Sequence, residues 1–172
     1  LIDCLLYQIL NSSYSHIKQF CAVILRRKLG FHSSIWSAIN KETLKMVQNQ
    51  LLILLQSKEY NIIYRRIVDI VCVLANRCQP LNNLWIELLP FINDMFKKST
   101  FIHHKECCLK ILAYIAEMSK ESLLPYLSNV GHILSQGILL DNITIQVSSL
   151  KAIISLILSC NDDELNLTFS ND

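Results

Sequence analysis

Two adjacent histidines followed by two adjacent cysteines form the motif in this sequence with the clearest potential for chemistry. His103 and His104 stand four residues before Cys107 and Cys108, a spacing that puts His and Cys on one helix face, where they can share a zinc ion. Cys108, however, lies four residues after His104, and three similar helical segments of the chain have Cys, Ile or Ser four residues after their own starts. Packing between repeated helices explains a small or apolar side chain at this position. We therefore interpret the motif as two buried thiols beside two surface histidines, with structural zinc as the less favoured alternative.

The other reactive residues do not form a catalytic pattern. Cys72, Cys78 and Cys160 have no neighbouring histidine, and no motif of the nucleophile-elbow kind occurs. The acidic run at 162–164 lacks the glycine and the alternation of a calcium loop, so a solvated terminus explains it better. We predict that the segment is not an enzyme and that it holds no catalytic residue, metal or cofactor.

A repeated pattern of helices extends along the chain, and these helices must position any functional residues. Segments with one apolar face start at residues 17, 63, 104 and 145, which are 46, 41 and 41 residues apart. They read IKQFCAVILRRKL, IYRRIVDIVCVLA, HKECCLKILAYIA and IQVSSLKAIISLI. A period near forty residues is typical of HEAT or armadillo repeats, each a pair of helices. The pattern predicts an all-α, right-handed α-solenoid of about four HEAT-type helix pairs, cut from a longer solenoid.

The predicted pairs follow from apolar spacing and from residues that favour helix ends. They cover about residues 1–29, 40–78, 85–118 and 124–159, followed by a tail at 160–172. Ser15, Asn40 and the pair Asp141-Asn142 are expected to cap helices, and Pro90 is expected to bend or restart one. The second helix should bury Ile17, Phe20, Cys21, Ile24 and Leu25, and Trp36 and Trp85 should pack between repeats and not serve as ligand platforms.

Composition limits the class of protein. The chain has 172 residues and is 52% hydrophobic but only 17% charged, yet no apolar run reaches the roughly 18 to 20 residues needed to span a bilayer. The excess suits helices that bury one face on their partner and another on the next repeat. Seven cysteines with no CxxC pair cannot close into a full set of disulfides, which favours free thiols in a reducing intracellular compartment.

The charge is unevenly distributed along the chain. Residues 1–78 contain ten Lys/Arg and four Asp/Glu, giving +6, whereas residues 79–172 contain six and ten, giving −4. The first half should therefore attract an acidic surface. On the second helix of each pair, positions six, nine and ten after the repeat start should face outward, where a partner of a curved solenoid would dock. We call these the ladder positions. They are Val23, Asp69, Lys110 and Lys151 at position six, Arg26, Cys72, Ala113 and Ile154 at position nine, and Arg27, Val73, Tyr114 and Ser155 at position ten.

The ordered set of these segments resembles the N-terminal HEAT repeats of importin-β-type karyopherins, closest to the importin-four/importin-five subgroup. There, a second helix ending in Ala-Val-Leu-Leu-Arg-Arg precedes a loop, as residues 22–27 do here. Later, an Asn-Asn-x-Trp motif opens a repeat, as residues 82–85 do here, before the run Glu-Leu-Leu at 87–89. The similarity extends over roughly residues 1–160.

The resemblance implies a nuclear transport receptor that shuttles between cytoplasm and nucleus and binds or releases cargo when GTP-bound Ran docks on its N-terminal repeats. Matching the family position by position, the Ran-binding residues are Arg26 and Arg27, with Arg65, Asp69 and Lys110 on the same inner row. Other partners implied are cargo proteins and, through other parts of the receptor, nucleoporins. The resemblance implies neither nucleic-acid nor membrane binding.

Two other functions are compatible with the same residues. A HEAT-repeat scaffold in an assembly outside transport would use similar helices, because fold does not determine function. Nucleic-acid binding through the basic clusters at 26–28 and 65–66 is a third possibility. It is disfavoured because few aromatic side chains alternate with those charges and because the second half of the chain is acidic.

Overall fold

A computed structural model of the chain describes residues 1–30, 39–58, 62–78, 85–118 and 123–159. These residues form helices, turns and loops and contain no β-strand, which confirms the prediction of an all-α helical repeat. The chain divides into two compact units, residues 1–85 and 86–172. No helix within the described ranges is long and apolar enough to cross a membrane.

The described residues of the first unit contain four α-helices, which pack as two pairs. They are α1 (Ile2–Asn11), α2 (Ser15–Leu29), α3 (Lys41–Leu55) and α4 (Ile62–Cys78). Helix α1 packs on α2 and α3 packs on α4, and the second helices α2 and α4 also pack on each other. The core of the unit is aliphatic and includes Leu6, Ile9, Leu25, Leu29, Leu51, Leu55, Ile67, Ile70 and Leu74, each at most 2% exposed. Burying each of these side chains contributes about 1.5–3 kcal/mol before the cost of ordering the chain.

Besides a short 3-10 helix at Leu124–Tyr126, the described residues of the second unit contain four α-helices in the same order. They are α5 (Leu88–Lys98), α6 (Ile102–Met118), α7 (Leu127–Leu139) and α8 (Ile143–Ser159). The second helices α6 and α8 pack closely on each other, α5 packs on α6, and α7 packs on α8. Gly137 of α7 allows a close approach, because a Cβ atom at this position would lie 2.1 Å from the Ser149 hydroxyl oxygen of α8.

Most of the predicted helix ends are confirmed. The Asn40 side chain accepts a 2.7 Å hydrogen bond from the Thr43 backbone N–H, and the Asn142 side chain accepts one of 3.2 Å from Ile145. These bonds satisfy amides that the first turn of a helix leaves unpaired. Pro90 is the third residue of α5, where its missing N–H costs no helical bond, so it starts the helix and does not bend it.

Two local predictions about α2 are wrong. Ser15 does not cap the helix, because α2 begins at Ser15 itself and Tyr14 occupies the cap position without a side-chain bond. The Phe20 side chain is 66% exposed, whereas Cys21 and Leu25 are buried as predicted. Ala22 and Leu29 are buried as well, whereas the predicted Ile17 and Ile24 are only half-buried. The buried face of α2 is therefore rotated away from Phe20 relative to the predicted one. Trp36 and the tail lie outside the described residues.

Candidate protein-binding face of the second helices

Four of the five predicted Ran-binding residues lie in the first unit. Arg26 and Arg27 are exposed in the last turn of α2, where positive charge is favoured by the helix dipole. Arg65 is exposed in the first turn of α4. Asp69 is half-buried, and its carboxylate lies 3.9 Å from the Arg66 guanidinium. The arginines of α2 and α4 are therefore on the surface of two helices that pack together.

The predicted outward face is interrupted in α4. Cys72 is only 3% exposed, although its ladder equivalent in α2, Arg26, is exposed. The prediction that Cys72 faces outward is therefore wrong. It is also wrong for Ser155 in the second unit, which is only 8% exposed. A thiol at position 72 acts as a small core side chain, so the exposed basic side chain of α2 has no counterpart at this ladder position of α4.

In the second unit, the ladder positions surround a groove. A cavity of about 550 Å³ lies along α6 and α8. Its lining contains all six ladder residues of the two helices together with four others: Glu106, Leu109, Lys110, Ala113, Tyr114, Glu117, Ser148, Lys151, Ile154 and Ser155. Lys110, the fifth predicted Ran-binding residue, is exposed on one side of this groove. The volume lies within the range typical of ligand-binding clefts.

Small side chains at the contact between the two helices explain the groove. Ala113 of α6 and Ser148 and Ser155 of α8 are all in the lining, where longer side chains would fill the space. The Ser155 hydroxyl donates a 2.9 Å hydrogen bond to the Glu117 carboxylate, which joins α8 to α6. The helices are thus close enough for a direct side-chain bond and still leave a cleft.

The charged residues of the groove have a definite order. Lys110 and Lys151 occupy the same ladder position on α6 and α8, and both are exposed. Glu106 precedes Lys110 by one helical turn, and Glu117 follows it by about two turns. Two ammonium groups therefore occupy the middle of the groove and carboxylates lie toward its ends. The ladder pattern identified Lys110 and Lys151, whereas it missed both glutamates because they lie outside the three chosen positions.

The histidine and cysteine motif is mainly structural. Cys107 and Cys108 are buried as predicted, and burial raises the pKa of the Cys108 thiol well above its usual value, which disfavours the thiolate that a metal requires. The prediction of two surface histidines is wrong for His104, which is 5% exposed and whose Nδ1 lies 2.7 Å from the Ser99 hydroxyl. Among the described residues, no group of three or more His, Cys, Asp or Glu could hold a metal ion.

Helix pairs in which second helices pack on one another define a helical-repeat protein, a class that works through extended binding surfaces. A protein-family model described as "IPO5-like, TPR repeats" matches residues 59–171, which is more than half of the chain. The chain therefore belongs to the IPO5-like repeat family, and the resemblance to importin-five-type karyopherins is confirmed. A comparison with curated proteins found no match. Although the description uses the term TPR, the last two repeat spacings of 41 residues are closer to HEAT repeats than to the 34 residues typical of TPR units.

Proposed function

We propose that this chain is part of a nuclear transport receptor and that its second helices bind GTP-bound Ran, which controls the binding and release of cargo proteins. The match to the IPO5-like family carries the proposal, since it assigns the repeats to an importin type. In this proposal the receptor moves between cytoplasm and nucleus, and nucleoporins bind to other parts of it.

The proposed Ran-binding residues are Arg26, Arg27, Arg65, Asp69 and Lys110. The arginines at the end of α2 have the strongest physical support, because they are adjacent, exposed and in a part of the chain with a net charge of +6. A guanidinium group donates paired hydrogen bonds to a carboxylate, so two adjacent arginines suit an acidic surface such as the one expected around a GTPase switch. Asp69, half-buried beside Arg66, would select a partner that also offers a basic group.

The proposal is tested by retention of the full chain on immobilised Ran locked in its GTP form, with the GDP form as reference. We expect retention on the GTP form only. The double variant Arg26→Glu and Arg27→Glu should weaken binding by about 1–3 kcal/mol, as expected when charges at an interface are reversed. Lys41→Glu, at the start of α3, and Lys58→Glu, just after its end, make the same change in net charge at exposed positions and should leave binding almost unchanged.

Two results would contradict the proposal. Equal retention on the GTP and GDP forms would show that the nucleotide state is not recognised. Equal weakening by the two charge-matched pairs would show that net charge is responsible and not the end of α2. In the first case, a helical-repeat scaffold outside transport would be the better interpretation of the chain.

A further inference from the structure

The groove between α6 and α8 offers a binding site for a ligand that is smaller than a folded GTPase. We propose that it binds a short peptide segment of a partner protein in which one carboxylate side chain is followed by one large aliphatic side chain. This inference goes beyond the proposed function and does not depend on Ran, although Lys110 takes part in both.

The two lysines determine the charged part of the ligand. Lys110 and Lys151 occupy equivalent positions on helices that pack directly on each other, and both are exposed beside the same cavity. The lining also contains Glu106 and Glu117, so its formal charge is balanced as a whole, and the positive potential is local to the two ammonium groups. A single carboxylate between them can accept a hydrogen bond from each.

The helical turn that follows Lys110 in α6 and Lys151 in α8 determines the apolar part of the ligand. Ala113 and Tyr114 of α6 and Ile154 of α8 line the groove one turn beyond the lysines, and the Ile154 side chain is 55% exposed. Leu150 and Ile157, which are 50% and 46% exposed, continue this apolar surface along α8. An aliphatic side chain of a ligand would cover apolar surface that is otherwise in contact with water, which favours binding.

The distance between the two lysines and the apolar turn limits how far apart the carboxylate and the aliphatic side chain of the ligand can be. One helical turn is about 5.4 Å, and side chains two residues apart in an extended peptide are about 6.6 Å apart on the same face. An extended segment with the sequence acidic–any–aliphatic can therefore place its carboxylate between Lys110 and Lys151 and its aliphatic side chain against Ile154. Glu106 and Glu117 toward the ends of the groove would repel a run of acidic residues, so the site selects one carboxylate and not a polyanion.

The test uses the full chain labelled with ¹⁵N and the peptide Ser-Gly-Glu-Ala-Leu-Gly-Ser as the probe, titrated in an NMR experiment. We expect saturable shifts of the amide signals around Ala113 and Ile154. Replacing Glu by Gln in the peptide, or Leu by Ser, should weaken binding at least about fivefold each, because each change removes one of the two contacts. Absence of shifts at these amides with the original peptide would overturn the proposal.

Protein variants separate the groove from general attraction between charges. Lys110→Glu with Lys151→Glu should weaken binding at least about tenfold, since like charges would then face the peptide carboxylate. Lys97→Glu with Lys98→Glu makes the same change in net charge at exposed positions of α5 and should have little effect. Equal effects of both pairs would contradict a site in the groove. Because the Ran-binding test concentrates on Arg26 and Arg27, a failure of peptide binding and a failure of Ran binding are distinguishable.

Discussion

The contact between Gly137 and Ser149 allows a sharp test of how closely α7 and α8 pack. A Cβ atom at residue 137 would lie 2.1 Å from the Ser149 hydroxyl oxygen and 3.3 Å from the Ser149 Cβ. Ser149 is completely buried, and its hydroxyl donates a 2.9 Å hydrogen bond to the Ile145 carbonyl one turn earlier in α8. The Gly137→Ala variant therefore forces the hydroxyl to rotate away from this bond or the helices to separate.

The expected effect combines three contributions. Loss of the Ser149 hydrogen bond costs about 1 kcal/mol, and overpacking of a tight contact costs about 1–3 kcal/mol. Alanine in the helix gains about 1 kcal/mol over glycine, so Gly137→Ala should destabilise the protein by about 1–3 kcal/mol. In a Ser149→Ala background the 2.1 Å contact is absent. The 3.3 Å contact with the Cβ atom of residue 149 and an ordinary 3.6 Å contact with the Phe96 Cζ atom remain. There the same substitution should change the free energy of unfolding by less than about 1 kcal/mol, because the gain in helix propensity offsets the tighter packing.

Urea unfolding followed by circular dichroism measures these differences for the parent, the two single variants and the double variant. Ser128→Ala, at an exposed position of the same helix, serves as the control and should be neutral or slightly stabilising. A Gly137→Ala variant as stable as the parent would contradict the close contact between residue 137 and Ser149, and the prediction would then be refuted. It is also refuted if its penalty is the same with and without the Ser149 hydroxyl, since the cost would then not arise from this contact.

Two further predictions concern a helix cap and the buried thiols. Asn40→Ala should reduce the free energy of unfolding by about 1 kcal/mol in the same urea assay, because the Thr43 amide loses the bond from the cap; an unchanged value would contradict this. With a thiol reagent at about pH 8, Cys4, which is exposed, should react within the mixing time, whereas Cys78 should react only when the protein unfolds. Burial raises the pKa of Cys78 to about 11, so the thiol stays protonated, and labelling of Cys78 at the rate of Cys4 would contradict its burial.

The sequence was sufficient to predict features that depend on local spacing. The repeat pattern identified the second helices, and Asn40, Asn142 and Pro90 marked helix starts correctly because each acts through its own backbone neighbourhood. Ser15 failed because several polar residues stand together at 12–16, and composition alone does not decide which of them precedes the first helical residue.

Features that depend on which helix lies opposite could not be predicted in the same way. Phe20 and Cys72 were placed from periodicity, which gives the direction of a side chain relative to its own helix but not the presence of a neighbour. His104 is buried, and Ser99 at the end of the preceding helix lies within hydrogen-bond distance of its ring. A polar side chain is tolerated in a core once it has such a partner.

The groove between α6 and α8 shows how the two kinds of information combine. The ladder correctly placed Lys110, Lys151 and Ile154 along one surface, because these residues share a register on equivalent helices. It could not indicate that this surface is concave, since concavity depends on the small size of Ala113 and Ser148 relative to the residues beside them. The cleft between α6 and α8 therefore lies where small residues at the contact between the two helices coincide with long polar residues at the neighbouring ladder positions. Substituting Ala113 by Leu would remove the cleft and keep both lysines, so it separates the contribution of shape from that of charge.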